Sequence, residues 1–133
     1  MPSSDDLLAL MPFSLELGVR LESAEPDEVV GTVEWSPQRC TSGGVLHGGV
    51  LMALADTLGA ACAFLNLAEG YSTSTIESKT NFFRAVRSGT VRGTSRPLHR
   101  GRTTIALSTE LRDDTDRLVA LVIQTQAVLA GRG

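Results

Sequence analysis

Two neighbouring features carry residue types whose spacing could do chemistry. Between Arg39 and Glu69 lie 29 residues, of which only Asp56 is charged. A chain with 20% charged residues would place about six there if they were spread evenly. Aspartate is a poor helix former, and an unpaired buried carboxylate costs several kcal/mol, so one kept in an apolar stretch points to use. Apolar surroundings push a carboxyl pKa upward, which suits a general base or nucleophile. The plainer reading, an Asp that reaches water or a hydrogen-bond partner, stands beside it.

Nine residues earlier sits Leu46-His47-Gly48-Gly49-Val50. A glycine pair entering a helix leaves backbone N–H groups uncovered at the positive helix end, where a developing oxyanion could bind. A tight turn that merely needs glycine dihedrals would look the same. Gly48 and Asp56 are eight residues apart, about 12 Å along a helix. One small carbonyl cannot touch both in one chain. If both act, the helix end of one subunit faces the carboxylate of another, and the protein is a dimer with sites at the interface.

Charge is divided along the chain. Residues 1–34 hold eight acids and one Arg, whereas Ser78 to Thr109 hold no acid but Lys79, Arg84, Arg87, Arg92, Arg96, Arg100, Arg102 and His99. The ordinary outcome is pairing between these bases and the acidic N-terminal segment, or a solvated face. Bidentate phosphate binding by two or three of the Arg is the functional alternative.

Several elements must position these groups. Ser3-Ser4-Asp5-Asp6 caps a short helix that Pro12 ends. Leu15 to Glu25 alternates through Leu17, Val19 and Leu21 as a strand, Pro26-Asp27 turns, and Val29 to Trp35 returns. A loop, Ser36 to Leu46, leads to a helix over Val50 to Leu67, apolar nearly all round and therefore buried, which Gly70 closes. Strands follow at Ser72–Phe83, Thr90–Leu98, Thr103–Leu111 and Leu118–Leu129, with a turn at His99-Arg100-Gly101. The order β-β-α-β-β-β-β, with a short N-terminal helix, predicts an α+β domain spanning 1–133: one long buried helix on a mostly antiparallel sheet.

The totals narrow the field. Net charge −3 and few aromatics argue against nucleic acid as a partner. Asp56 inside the apolar run, with no Lys or Arg within ten residues of its ends, argues against a membrane span. Cys40 and Cys62 fit neither a disulfide framework nor, with two His, a zinc site. Met1 to Phe13 lacks a basic signal region, so a reducing cytoplasmic location is expected.

His47-Gly48-Gly49-Val50 followed by Leu54-Ala55-Asp56-Thr57 resembles the PaaI-type hotdog thioesterase family, which includes 4-hydroxybenzoyl-CoA thioesterase-like enzymes. Asn81-Phe82-Phe83-Arg84-Ala85 and Leu98-His99-Arg100-Gly101-Arg102 extend the resemblance over roughly residues 13–129. It implies a hotdog fold, homodimers that pair into homotetramers, and hydrolysis of an acyl-coenzyme A thioester with no cofactor beyond the substrate's own coenzyme A. On this resemblance Asp56 matches the catalytic base or nucleophile, the Gly48 N–H polarises the carbonyl from the opposing subunit, and His47 orients the thioester. Thr41, Gly49 and Thr57 fall beside the substrate. Arg84, His99, Arg100 and Arg102 fall where coenzyme A phosphates bind, and Leu58, Phe64, Phe82 and Phe83 where the acyl group would lie. The chain departs from the family pattern at Thr41, where relatives often carry Asn or Gln, and at Ala60, where some carry Ser or Thr. The first departure leaves open a non-catalytic acyl-CoA-binding domain. Ala61, where hydratases of this fold carry His, ranks a hydratase last.

Overall fold

The computed structural model describes residues 2–131. Helix α1 (Ser4–Ala9) opens on a reciprocal capping box, in which Ser3 Oγ accepts from the Asp6 N–H at 3.1 Å and Asp6 Oδ2 from the Ser3 N–H at 3.0 Å. Pro12 ends α1, as expected, and also starts a second helix, α2 (Pro12–Leu17), where the alternation of Leu17, Val19 and Leu21 predicts strand. Proline at the first helical position forfeits no hydrogen bond, and Gly18, at φ +89°, closes the turn in the left-handed conformation. Only beyond Gly18 is the chain extended.

The remaining elements follow the expected order: β1 (Arg20–Glu25), β2 (Glu28–Glu34), α3 (Gly48–Leu65), β3 (Tyr71–Phe82), β4 (Thr90–Arg100), β5 (Thr104–Arg112) and β6 (Leu118–Ala130). The six strands form one antiparallel sheet in the order β1-β2-β4-β5-β6-β3. Thus β3, which directly follows the helix, crosses to the far edge and pairs with the last strand. Two boundaries differ from the sequence expectation. Helix α3 stops at Leu65 because Asn66 caps it, its Nδ2 donating to the Cys62 and Pro26 carbonyls at 2.8 Å each, while Gly70 (φ +85°) only turns the chain into β3. His99 and Arg100 continue β4, and the turn begins at Gly101.

Helix α3 lies across one face of this sheet. Its buried side chains Leu51, Leu54, Leu58 and Cys62 meet Val29 and Val33 of β2, Val91 of β4, Leu107 and Leu111 of β5, and Val122 of β6. By length and composition the helix could cross a membrane, yet its apolar character is answered here by the sheet that covers it. The contact is close because two strand glycines stand opposite each other. Gly31 of β2 and Gly93 of β4 are register partners, and a Cβ on either would lie 2.6 or 2.5 Å from a Leu58 methyl. Leu58, fully buried, therefore plugs a hollow that any side chain at those positions would fill. This also removes Leu58 from the residues expected to line an acyl pocket.

A methyl group has nowhere to go in that hollow. Gly93→Ala is expected to cost about 1–3 kcal/mol of unfolding free energy by overpacking, whereas Gly93→Ala combined with Leu58→Val recovers part of the loss. Urea denaturation of the three proteins checks this.

Candidate active site

The entry to α3 is held by backbone bonds on both sides. Leu46 N–H donates to the Val86 carbonyl at 2.8 Å, His47 N–H to the Arg39 carbonyl at 2.9 Å, and Thr41 N–H to the Val45 carbonyl at 2.8 Å. Gly43 and Gly44, both at positive φ, fold the intervening loop back. His47 is the N-cap, and its Nδ1 accepts the Gly49 N–H at 2.7 Å. The Gly49 amide is thereby committed, which corrects the expectation that it faces substrate. Gly48, first residue of the helix, has no intrahelical acceptor for its N–H. It lines a cavity of about 370 Å³ with Thr41, Val45, Phe82, Phe83 and Arg84. A Cβ at Gly48 would stand 3.2 Å from the Phe82 ring, so glycine here admits the aromatic close to the helix end.

Asp56 is two turns further on and half buried. Its surroundings are not uniformly apolar, contrary to the sequence expectation. Oδ1 accepts from Thr75 Oγ1 of β3 at 2.7 Å and from Gln124 Nε2 of β6 at 3.1 Å. Gln124 also donates to Gln126 Oε1 at 3.0 Å, and Gln126 Nε2 donates to Thr73 Oγ1 at 3.1 Å. Both glutamines are fully buried, with 0% and 1% exposure. Gly59 makes room for this: a Cβ there would lie 2.2 Å from Gln124 Oε1. That carbonyl oxygen is buried without a hydrogen-bond partner. The seam was missed from sequence, although two amides two residues apart, in a strand apolar but for them and Thr125, were its visible trace.

Other expected site residues are placed differently. Thr57 is buried, donating to the Ala53 carbonyl at 2.8 Å and bonded to Ser14 Oγ at 2.7 Å, so it pins α2 to α3 and does not meet substrate. Arg100 is paired with Asp27, as Arg92 is with Glu22 and Arg96 with Glu28, both at 2.6 Å. The basic strand and the acidic hairpin thus answer each other through exposed pairs worth little individually. Arg84 and Arg102 have no carboxylate partner among the described residues. Arg84 lies at the Gly48 cavity, while Arg100 and Arg102 line a separate one of about 240 Å³ with Asn66 and Tyr71. His99 is exposed beside Gly101. Phe82 and Phe83 stand at the Gly48 cavity, and Phe64 lines a third, of about 180 Å³, with Leu7, Leu10, Met11, Ala60 and Thr73. Cys62 is buried, and desolvation pushes its thiol up to about 11, so it is no nucleophile.

Comparison with known proteins gives this geometry a context. Residues 43–120 match the family model of the thioesterase superfamily. That span contains His47, Gly48, Asp56 and Thr75 but stops short of Gln124. A candidate esterase of Mycobacterium tuberculosis is 37% identical over 125 residues, covering 90% of this chain and 89% of its own. A crystal structure of a thioesterase from Haemophilus influenzae superposes with a TM-score of 0.92 at 27% identity, covering 98% of this chain and 92% of that one. The proofreading thioesterase EntH of Klebsiella pneumoniae is 48% identical over 59 residues, 44% of this chain and 43% of its own.

The cap makes a prediction of its own. His47→Ala is expected to cost about 1 kcal/mol of stability, and His47→Asn, which keeps a capping acceptor, to cost less. Thermal and urea unfolding of the two variants against the parent would show it.

Proposed function

Because this chain belongs to the thioesterase superfamily and is on that ground a thioester hydrolase, we propose that its substrate is an acyl-coenzyme A thioester, cleaved between two subunits. The thioester oxygen takes a hydrogen bond from the Gly48 N–H at the positive end of α3 in one subunit. The partner subunit's Asp56 then removes a proton from water as the water oxygen attacks the carbonyl carbon. Collapse of the tetrahedral intermediate breaks the C–S bond, and the leaving coenzyme A thiolate recovers the proton. Direct attack by the carboxylate would instead give a mixed anhydride that water opens. Borohydride trapping under single turnover selects between these routes.

One observation carries the cross-subunit arrangement. The edge strand β3 holds Asp56 through Thr75 near its beginning and covers Gly48 with Phe82 at its end. It is an edge strand, and Ile76 and Phe82, with Phe83 just beyond its end, are exposed. Antiparallel pairing of β3 with its twin, about a two-fold near residues 78–79, sets Phe82 of one subunit opposite Thr75 of the other. Gly48 then faces the partner subunit's Asp56, the juxtaposition that one helix by itself forbids. The same pairing draws Tyr71, which lines the Arg102 cavity, toward the partner's Arg84, so these two free guanidinium groups suit the coenzyme A phosphates. His99 lies on the same flank. Arg100 would join them only by releasing Asp27.

For the acyl group, the cavity one helical turn beyond Asp56 fits best. Ala60, Phe64, Leu7 and Leu10 offer it apolar walls. Its single hydroxyl, Thr73, already donates to the Ala127 carbonyl at 2.7 Å. An unsubstituted aliphatic or phenyl group therefore suits it better than a hydroxylated ring.

Free-thiol release from a panel of acyl-CoA thioesters tests the reading. Asp56→Asn should lower turnover by about 10²–10⁴. Gly48→Pro removes the N–H at a first helical position, and because its ring would crowd Phe82 it is made in a Phe82→Leu background, where it is expected to lower turnover by about 10²–10³ relative to Phe82→Leu alone. Co-refolding the two inactive variants in equal amounts should restore about a quarter of wild-type turnover, because half the dimers are mixed and each mixed dimer keeps one intact site. No recovery would place each site within one chain. Saturable binding by calorimetry without hydrolysis over hours would favour the acyl-CoA-binding alternative.

A further inference from the structure

We infer that Gln124 and Thr75 are positioning residues for Asp56, which fix one carboxylate oxygen and leave the other as the reacting atom. This rests on the hydrolase reading only for its kinetic consequence; the geometry stands by itself.

Oδ1 receives both donors, Thr75 Oγ1 and Gln124 Nε2, and no donor from the described residues reaches Oδ2. A carboxylate held at one oxygen keeps the lone pairs of the other for a water molecule or a carbonyl carbon. The donors are themselves fixed. Gln124 Nε2 has two hydrogens and two acceptors, Asp56 Oδ1 and Gln126 Oε1. Turning the amide over would set its oxygen against those two oxygens, so the acceptors dictate its orientation. Thr75 has one proton and lies within reach of both Asp56 Oδ1 at 2.7 Å and Gln126 Oε1 at 2.6 Å. Because Gln126 Oε1 is already supplied by Gln124, the Thr75 proton goes to the ionised carboxylate.

The backbone enforces this arrangement. Gln124 reaches Asp56 only across Gly59, whose missing Cβ leaves the space its amide occupies. Its own carbonyl oxygen is left buried and unpaired as a result. A native chain that tolerates an orphaned buried acceptor gains something else from the side chain that carries it, and here that is the donor to Asp56.

The charged surroundings leave these donors in control of the carboxyl. Asp56 is the only charged residue of α3, and β6 carries none. The titratable groups of β3, namely Tyr71, Glu77 and Lys79, are all exposed. Removing a donor to the ionised form disfavours ionisation, so the acidic limb of kcat/KM is expected to move to higher pH.

Three variants test this: Gln124→Met, Thr75→Val and Thr75→Ser. The first two should each lower kcat by about ten- to hundred-fold with KM little changed, and shift the acidic limb upward, while Thr75→Ser retains both parameters. Carbon-detected NMR titration of the Asp56 carboxyl gives a readout independent of turnover and should show the same upward shift in the first two variants alone. Circular dichroism confirms folding, and a variant that unfolds is replaced by Gln124→Glu, whose added charge is expected to move the acidic limb still higher. An unchanged Asp56 titration in Gln124→Met and Thr75→Val overturns the inference. If wild type released no thiol from any acyl-CoA, the hydrolase reading would fall, whereas the NMR titration would still decide this one.

Discussion

The close seating of α3 on the sheet is the constraint on which everything else depends. A long apolar helix and a curved sheet meet at short range only where one surface has a hollow for the other's side chains. Gly31 and Gly93, opposite each other on β2 and β4, make the hollow for Leu58. Gly59, the next residue on the helix, makes the reverse hollow for Gln124 of β6. The two interlocks fix both the rotation of the helix and its position along its axis. A helix turned by even one residue would drive Leu58 into β-strand backbone and carry Asp56 away from its donors.

Seated in this way, the helix can carry a carboxylate at modest cost. An unpaired buried carboxylate is strongly unfavourable, but Thr75 and Gln124 supply charge-assisted hydrogen bonds, each worth about 1.5–3 kcal/mol. Against this stands the orphaned Gln124 carbonyl, which costs about 1–3 kcal/mol. The polar seam through Gln124, Gln126, Thr73 and Thr75 thus trades apolar packing for a carboxylate of defined orientation. Cys62, on the same helix, shows the contrast, since desolvation there outweighs the favourable charge of Arg100 and pushes the thiol up to about 11.

The topology sets the scale of the site. The chain leaves α3 and crosses to the far edge of the sheet, so β3, which holds Asp56 through Thr75, is also one of the two edge strands. Helix start, carboxylate and edge are therefore aligned along one line, with Phe82 at one end of it and Thr75 near the other. On β4, Arg92, Arg96 and Arg100 are occupied by the acids of the β1–β2 hairpin. Charge asymmetry that could suggest a phosphate surface is only in part internal neutralisation: three of the seven Lys and Arg in that stretch are paired, and among the described residues Lys79, Arg84, Arg87 and Arg102 have no carboxylate partner.

By itself the sequence determined the order of the elements, the buried helix, its glycine-rich entry after His47 and the lone acid within it. These are properties of a few consecutive residues: periodicity, capping, turn glycines and an empty charge count. The resemblance carried by His47-Gly48-Gly49 and Asp56 named the family in advance. Local rules failed where two readings of the same residues competed, as at Pro12–Leu17, where helix capping overrode a three-residue alternation. Tertiary structure alone decided which amide of the Gly48-Gly49 pair stays free, since that depends on the rotamer of His47. It also decided that Thr57 is buried and that Asp56 is held from residues 19 and 68 positions away. Partners at such separations are chosen by strand order and by the depth at which the helix sits, and neither is written in any short stretch of the chain.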